Sequence, residues 1–202
     1  MNSPVYFFVF CGKMIYMEIK KQKQTFIFDN YLWGSKREDT TVSLTLSCDN
    51  EKLYFEFNVT EKELRRMVVE DNGSVWLDSC MELFISPDNV NYYNFEFSAS
   101  KALRCGYGPN RQERPLVDSE KLKLVQREII IFENNNKRSR YCFKGAIPLK
   151  EFGLDKEVLY LNAYKCGDGL KEPHFISLFN IDLPNPDFHQ IKFFQPVKLI
   201  KA

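Results

Sequence analysis

Run after run of this chain alternates apolar and polar residues with a period of two, and few folds can use that pattern. In Thr41–Asp49, Val42, Leu44, Leu46 and Cys48 share one face, while threonine and serine take the other. Lys52–Thr60 sets Leu53, Phe55, Phe57 and Val59 against Tyr54, Glu56 and Asn58. The same beat returns in Tyr93, Phe95 and Phe97, in Tyr141, Phe143 and Ile147, and in Leu159, Leu161 and Ala163. Successive side chains of a strand point to opposite faces, so each run predicts a strand with one buried side. Asp49-Asn50 joins the first two runs as a hairpin-type turn. Leu122–Phe132 predicts a longer strand that closes in the polar loop Glu133–Arg138. Helix is scarce. The capping-box pattern Thr60-x-x-Glu63 ahead of Leu64, Met67 and Val68 predicts one short helix, and Leu149–Leu154, ended by Gly153, another turn or two. Many short strands without long alternating helices predict an all-β antiparallel sandwich.

Length and composition agree with one such domain. The 202 residues are 44% hydrophobic, enough for a core, and no repeat, low-complexity tract or linker divides them. Residues 1–20 are set apart as an N-terminal extension of undecided status, with the domain expected over 21–202. Val5–Phe10 is apolar but too short to span a bilayer, and no basic residue precedes it as in a secretory signal. Translation starting at Met14 or Met17, or an added strand, are the readings left open. The compartment is open too, the cell envelope and export included. Lysine and arginine (28) balance aspartate and glutamate (27), so no overall field steers the chain onto nucleic acid or an anionic membrane. No other segment is apolar and long enough for a membrane span. The six cysteines are scattered without a C-x-x-C pair, and the reading is buried free thiols, with a disulfide in an exported form as the alternative.

The loops are more distinctive than the strands. Trp76-Leu77-Asp78-Ser79-Cys80-Met81-Glu82-Leu83-Phe84 is followed by Tyr93-Asn94-Phe95-Glu96-Phe97 and by the glycine- and arginine-bearing Gly106–Arg114. Tyr164–Asp168, Pro173-His174-Phe175 and Pro186-Asp187-Phe188-His189 come later. In this order, from Phe28 to Lys198, these blocks resemble the family 9 carbohydrate-binding modules and a bacterial branch of family 9-like proteins. The resemblance implies an immunoglobulin-like or DOMON-like sandwich. It also implies binding of carbohydrate, the terminal sugar of a glycan clamped between two aromatic rings, in polysaccharide catabolism beside glycoside hydrolases. Sugar rings offer apolar C–H faces for stacking and hydroxyls that need orienting partners. Trp76 matches one clamp ring and Phe188 the other; Glu82 matches a hydroxyl-binding carboxylate and Asn185 a nearby polar ligand. Glu96 and Arg111 complete the candidate sugar-binding set. Glu96 stands where the sugar-binding type has arginine, Ser98 where it has asparagine, and Phe188 and Leu178 where tryptophans are usual.

Each of these residues also has a plainer reading. Trp76 can be a core aromatic, Glu82 a buried structural carboxylate, Asp78 and Ser79 turn-builders that cap their own backbone, and Arg104, Arg111 and Arg114 solvated cations, although in a glycine-rich loop near the site they could donate to sugar hydroxyls or to an acidic sugar. His174 and His189 read as packed loop histidines. Structural calcium is an open question, since the type modules carry it and Asp71–Asp78 is acidic, yet no EF-hand spacing is present. The chain lacks the common catalytic signatures, so no catalytic residue is named, although Glu82 with Asp168 or Glu96 could form a glycosidase pair. A haem-binding DOMON-like domain would need Met81 or Met67 with His174. A structural domain that has lost its sugar site is the remaining alternative.

Overall fold

The computed structural model describes residues 17–201. In chain order its strands are β1 (Met17–Ile19), β2 (Gln24–Ile27), β3 (Asn30–Leu32), β4 (Thr40–Cys48), β5 (Lys52–Glu61), β6 (Cys80–Ser86) and β7 (Tyr92–Ser98). Then follow β8 (Leu103–Arg104), β9 (Tyr107–Gly108), β10 (Gln126–Asn134), β11 (Ser139–Pro148), β12 (Val158–Cys166), β13 (Phe175–Ser177) and β14 (Gln195–Leu199). One sheet runs β10-β11-β5-β4-β2; the other runs β1-β14-β12-β6-β7-β8, with β13 and β3 beside β12 and β9 beside β7. Every pairing is antiparallel except β1 with β14. This is the all-β sandwich that the alternation predicts.

The period-two residues form the layer between the sheets. Leu53, Phe55, Phe57, Phe95, Phe97, Phe143 and Leu161 are all buried in one cluster. Phe55 of one sheet stacks on Phe97 of the other with ring centroids 4.7 Å apart. Burying each such ring contributes on the order of 2–3 kcal/mol. The opposite face of the larger sheet breaks the simple pattern. All seven residues of β6 and all seven of β7 are buried, so the polar partners of the alternation, Glu82, Asn94, Glu96 and Ser98, do not meet open solvent. Long loops cover that face, and the site lies beneath them.

Two local expectations change. Thr60 and Glu61 finish β5 instead of capping a helix, and no helix forms at Leu64–Val68. The buried Asp78 carboxylate takes the backbone N–H groups of Met67 and Val68, and the Ser79 hydroxyl takes that of Arg65, which holds the segment extended. Asp78 and Ser79 therefore act across ten to fourteen residues of chain, not on their own turn. The described residues instead hold one helical turn, α1 (Ser119–Leu122), capped by the Asp118 side chain on the N–H of Glu120. Leu122 and Val125 both point into the core at helical spacing, so the strand predicted from Leu122 begins only at Gln126 and runs on to Asn134. Leu149–Leu154 does make a turn, with Gly153 at φ +63° and the N–H of Leu154 returning to the carbonyl of Leu149 at 2.8 Å.

Within residues 1–20, Met17–Ile19 is an edge strand whose Ile19 is fully buried; Val5–Phe10 lies outside the described residues. The five described cysteines are buried free thiols. No helix among the described residues is long and apolar enough to cross a membrane.

Candidate functional site

The covered face of the larger sheet opens in a cleft of about 310 Å³. Its floor follows from strand register. Glu82 on β6 lies directly opposite Glu96 on β7, and Cys80, two residues back, lies opposite Cys166 on β12. Residues two apart share a face, so the carboxyls of Glu82 and Glu96 and the thiol of Cys166 all reach the same floor. The Cys166 thiol donates to Glu82 Oε1 at 3.0 Å. Burial, and then the neighbouring Glu96, push the Glu82 carboxyl well above the usual carboxylate range. Burial raises Glu96 as well, opposed by the Arg114 guanidinium. Two carboxyls facing one another across strands repel when both ionise, so ionisation is disfavoured at this floor, most of all at Glu82.

Arginines form one wall. The buried Asn94 amide ties Glu96 to the next loop: its nitrogen donates to Glu96 Oε1, and its oxygen accepts the N–H of Gly106 at 2.7 Å. Gly106 makes room for Arg114, whose Cγ would lie 2.6 Å from any Cβ at that position. Gly108 is needed for the same loop to fold back, because a Cβ there would meet the Glu113 carbonyl oxygen at 2.1 Å. Arg114 is packed in so far that its side chain is only 7% exposed, 4.0 Å from Glu96. Its NH1 donates to His189 Nδ1 at 3.2 Å, while its Nε has no partner. Arg104 lays its guanidinium over the Trp76 ring, 5.1 Å from the centroid. Arg111, exposed at the rim, makes no hydrogen bond or ion pair among the described residues.

Aromatic rings form the rest. Trp76 lies in a 3₁₀ turn, Val75–Leu77, whose end is fixed by Asp78, and it is half-buried. Phe188 reaches the cleft but is only 8% exposed, stacked on Tyr164 at 4.2 Å and 8°. Trp33 also lines the cleft, half-buried, 5.6 Å from Phe188 and 5.7 Å from Phe175. Its indole N–H donates to the Leu183 carbonyl at 2.8 Å. Trp33 carries φ +49°, followed by Gly34 at +89°. A bulky residue in the left-handed region is uncommon and strained, and such strain collects at functional sites.

Of the residues named from sequence, Trp76, Glu82, Glu96, Arg111 and Phe188 line this one cleft. Asn185 does not; it is exposed on the loop before Pro186. Sequence reasoning missed Trp33, Phe175 as a wall and the burial of Arg114. The signal for Trp33 was present, since it is one of only two tryptophans and stands before a glycine in a polar stretch.

The other ligand readings fail on chemistry. Asp71 accepts from Arg127 at 2.6 Å and from the Leu103 N–H at 2.9 Å. Asp78 accepts from Arg65, Met67, Val68 and Ser98. These carboxylates are saturated by protein donors and do not fit a calcium site in that loop. His174 Nε2 sits 2.9 Å from Lys165 Nζ, Met81 is packed in the core, and Met67 is exposed, so among the described residues no methionine–histidine pair meets across a pocket. Glu82 and Glu96 stand opposite one another on adjacent strands, and Asp168 lines the same cleft.

A half-buried pair of tryptophans and a polar, arginine-walled floor, on one face of a β-sandwich, define a carbohydrate-binding type of module. Residues 13–199 match the model of Carbohydrate-binding family 9, and the chain belongs to that family. A search of curated protein sequences returns no match. Among solved structures, it is similar to a Bacteroides uniformis ATCC 8492 protein provisionally named as carbohydrate-binding. The TM-score is 0.80 and the identity 30%, over 88% of this chain and 86% of that one. Family 9 modules from Caldicellulosiruptor kristjanssonii share the fold at low identity. The one solved with cellotriose has a TM-score of 0.63 at 11% identity, covering 93% of this chain and 95% of that one. The one solved with glucose has 0.58 at 12%, covering 89% and 85%.

Proposed function

We propose that this module holds the terminal sugar of a glycan in the cleft, without catalysis, and so serves polysaccharide breakdown by other proteins. What supports the reading is that Trp76, Glu82, Glu96, Arg111 and Phe188, from well-separated segments, line one cleft. The related modules solved with cellotriose and glucose make both sugars sensible first probes. In this reading the sugar's C–H face stacks on Trp76, and its hydroxyls are oriented by Glu82 and the arginine wall. Trp33, not Phe188, serves as the second ring, because Tyr164 already stacks on Phe188. Glu82, its carboxyl pushed up by burial and by Glu96, can donate to a ring or hydroxyl oxygen when protonated, as well as accept.

Calorimetry against glucose, cellotriose and a set of other mono- and oligosaccharides tests the reading. Binding by the wild type, at least fivefold weakened in both Trp76→Ala and Glu82→Gln, is expected. Unchanged affinity in both variants would sink the site, and release of reducing sugar from a bound oligosaccharide would sink the non-catalytic part.

A further inference from the structure

The guanidinium groups on the cleft wall exceed what a neutral sugar requires. Arg104, Arg111 and Arg114 all line it, and all three act on the Glu96 carboxylate. Glu96 is a poor counter-ion for them, since its nearest approach to Arg114 is 4.0 Å and its Oε1 already accepts from Asn94. The other carboxyls do little more. Asp187 is taken up by the Gln190 side chain at 2.6 Å and by the His189 N–H at 2.9 Å. Asp168, exposed, acts on Arg111 from a distance without an ion pair, and Glu82 receives the Cys166 thiol. The sharpest observation is Arg114 itself, a cleft-lining side chain more than nine-tenths buried, whose Nε packs against Gly106 with no acceptor among the described residues. A buried guanidinium short of acceptors is destabilised, and an anion in the cleft that Arg114 lines would offset that.

We infer that the sugar bound here is acidic, a hexuronic acid whose carboxylate is received by Arg114 and Arg111 beside Arg104. The inference rests on the proposed sugar site and adds the substrate class. Guanidinium forks match carboxylates in plane and can take both oxygens. An equatorial carboxylate lies at the edge of the pyranose, so the ring face stays free to stack on an indole while the acid group reaches the arginines. His189 strengthens the arrangement. Burial and the three arginines push it down to about 2, so it stays neutral and accepts from Arg114 without competing for the anion.

The test compares glucuronate with glucose and galacturonate with galactose by calorimetry, at roughly 20 mM and 200 mM salt. At least one uronate should bind about tenfold or more tightly than its neutral counterpart, with the advantage shrinking at the higher salt as charge attraction is screened. In Arg111→Gln the advantage should drop to within about twofold. Because Arg111 is exposed and unbonded, that variant should keep its unfolding midpoint. Arg114→Lys, which keeps charge but loses the fork, should lower uronate affinity as well. Neutral sugars binding as tightly as the uronates would overturn the acidic-sugar inference and leave the sugar site standing. An advantage that survives Arg111→Gln would overturn it too. No binding of either uronate by folded protein would overturn the acidic-sugar inference, while the sugar site itself falls only if the wider panel of sugars also fails to bind.

Discussion

Three aromatic side chains in the cleft differ in how their two faces are used, and that difference separates binding from packing. Phe188 is 8% exposed and stacks on Tyr164, so it is a core ring with an edge at the cleft. Phe188→Ala should therefore destabilise the fold by about 3–5 kcal/mol, read from chemical denaturation. Trp33 and Trp76 are half-buried and have less to lose in packing. Each Trp→Ala change should weaken sugar binding by about 1–3 kcal/mol, the range for aromatic stacking on nucleic-acid bases, while stability falls by less than in Phe188→Ala. A Trp33→Ala variant with wild-type affinity, measured by calorimetry, would show that the second ring is not Trp33. None of this ranking is visible in the sequence, where Phe188 sits at the clamp position and Trp33 carries no motif.

At the scale of elements, the loop bearing Trp76 is held by one residue. Asp78 is fully buried and accepts from Arg65, from the backbone of Met67 and Val68, and from Ser98. Asp78→Ala should cost about 3–5 kcal/mol, because Arg65 and three other donors lose their acceptor together. Its sugar affinity should fall with it, as the 3₁₀ turn that presents Trp76 loosens; thermal denaturation and calorimetry on one preparation check both. The first strand is a second such case. Ile19 is fully buried, and its carbonyl accepts from Ile200 N–H at 2.8 Å and from the Cys48 thiol at 3.2 Å. A chain starting at Met14 should unfold as cooperatively as the full one, while a chain starting at Lys21 should lose about 2–5 kcal/mol with the Met17 and Ile19 contacts. Equal midpoints for the two truncations would show that β1 adds nothing to the sheet.

Over the whole molecule, stability should depend on pH through two buried histidines and one carboxyl pair. Unfolded imidazoles titrate near 6.5, but burial, with Lys165 at His174 and Arg114 at His189, holds both down to about 2. Below about pH 6.5 the unfolded chain binds protons that the native protein refuses, so stability falls as the pH drops from there towards 2. At pH 5 each histidine should have cost about 2 kcal/mol. Glu82 runs the other way. Its folded carboxyl is raised well above the ordinary value, so its contribution is full below about pH 4.5 and is lost as the pH rises through its folded value. Denaturation midpoints from pH 8 to pH 5 should therefore lose about half of their acid sensitivity in His189→Gln, His174 keeping the rest, and lose the decline on the alkaline side in Glu82→Gln. Wild-type slopes in both variants would show that other groups set the profile.

The sequence by itself determined the sandwich, because a period of two leaves a strand no choice of face, and a chain of short strands must stack two sheets to bury them. It also determined the blocks that carry the family likeness, and with them most of the cleft, since Trp76, Glu82 and Glu96 lie at fixed steps along β6, β7 and the turn before them. What the short-range pattern misread, it misread for one reason. The Thr60–Glu63 capping box looked helical until Asp78, many residues on, claimed the backbone of Met67 and Val68. Only the tertiary structure decided that the polar face of β6 and β7 is buried, that Asn185 does not line the cleft, that Phe188 is spent on Tyr164, and that Trp33 and Arg114 line it. Those outcomes depend on which loops meet over the sheet, and contacts between loops that lie on different stretches of chain leave no period in it.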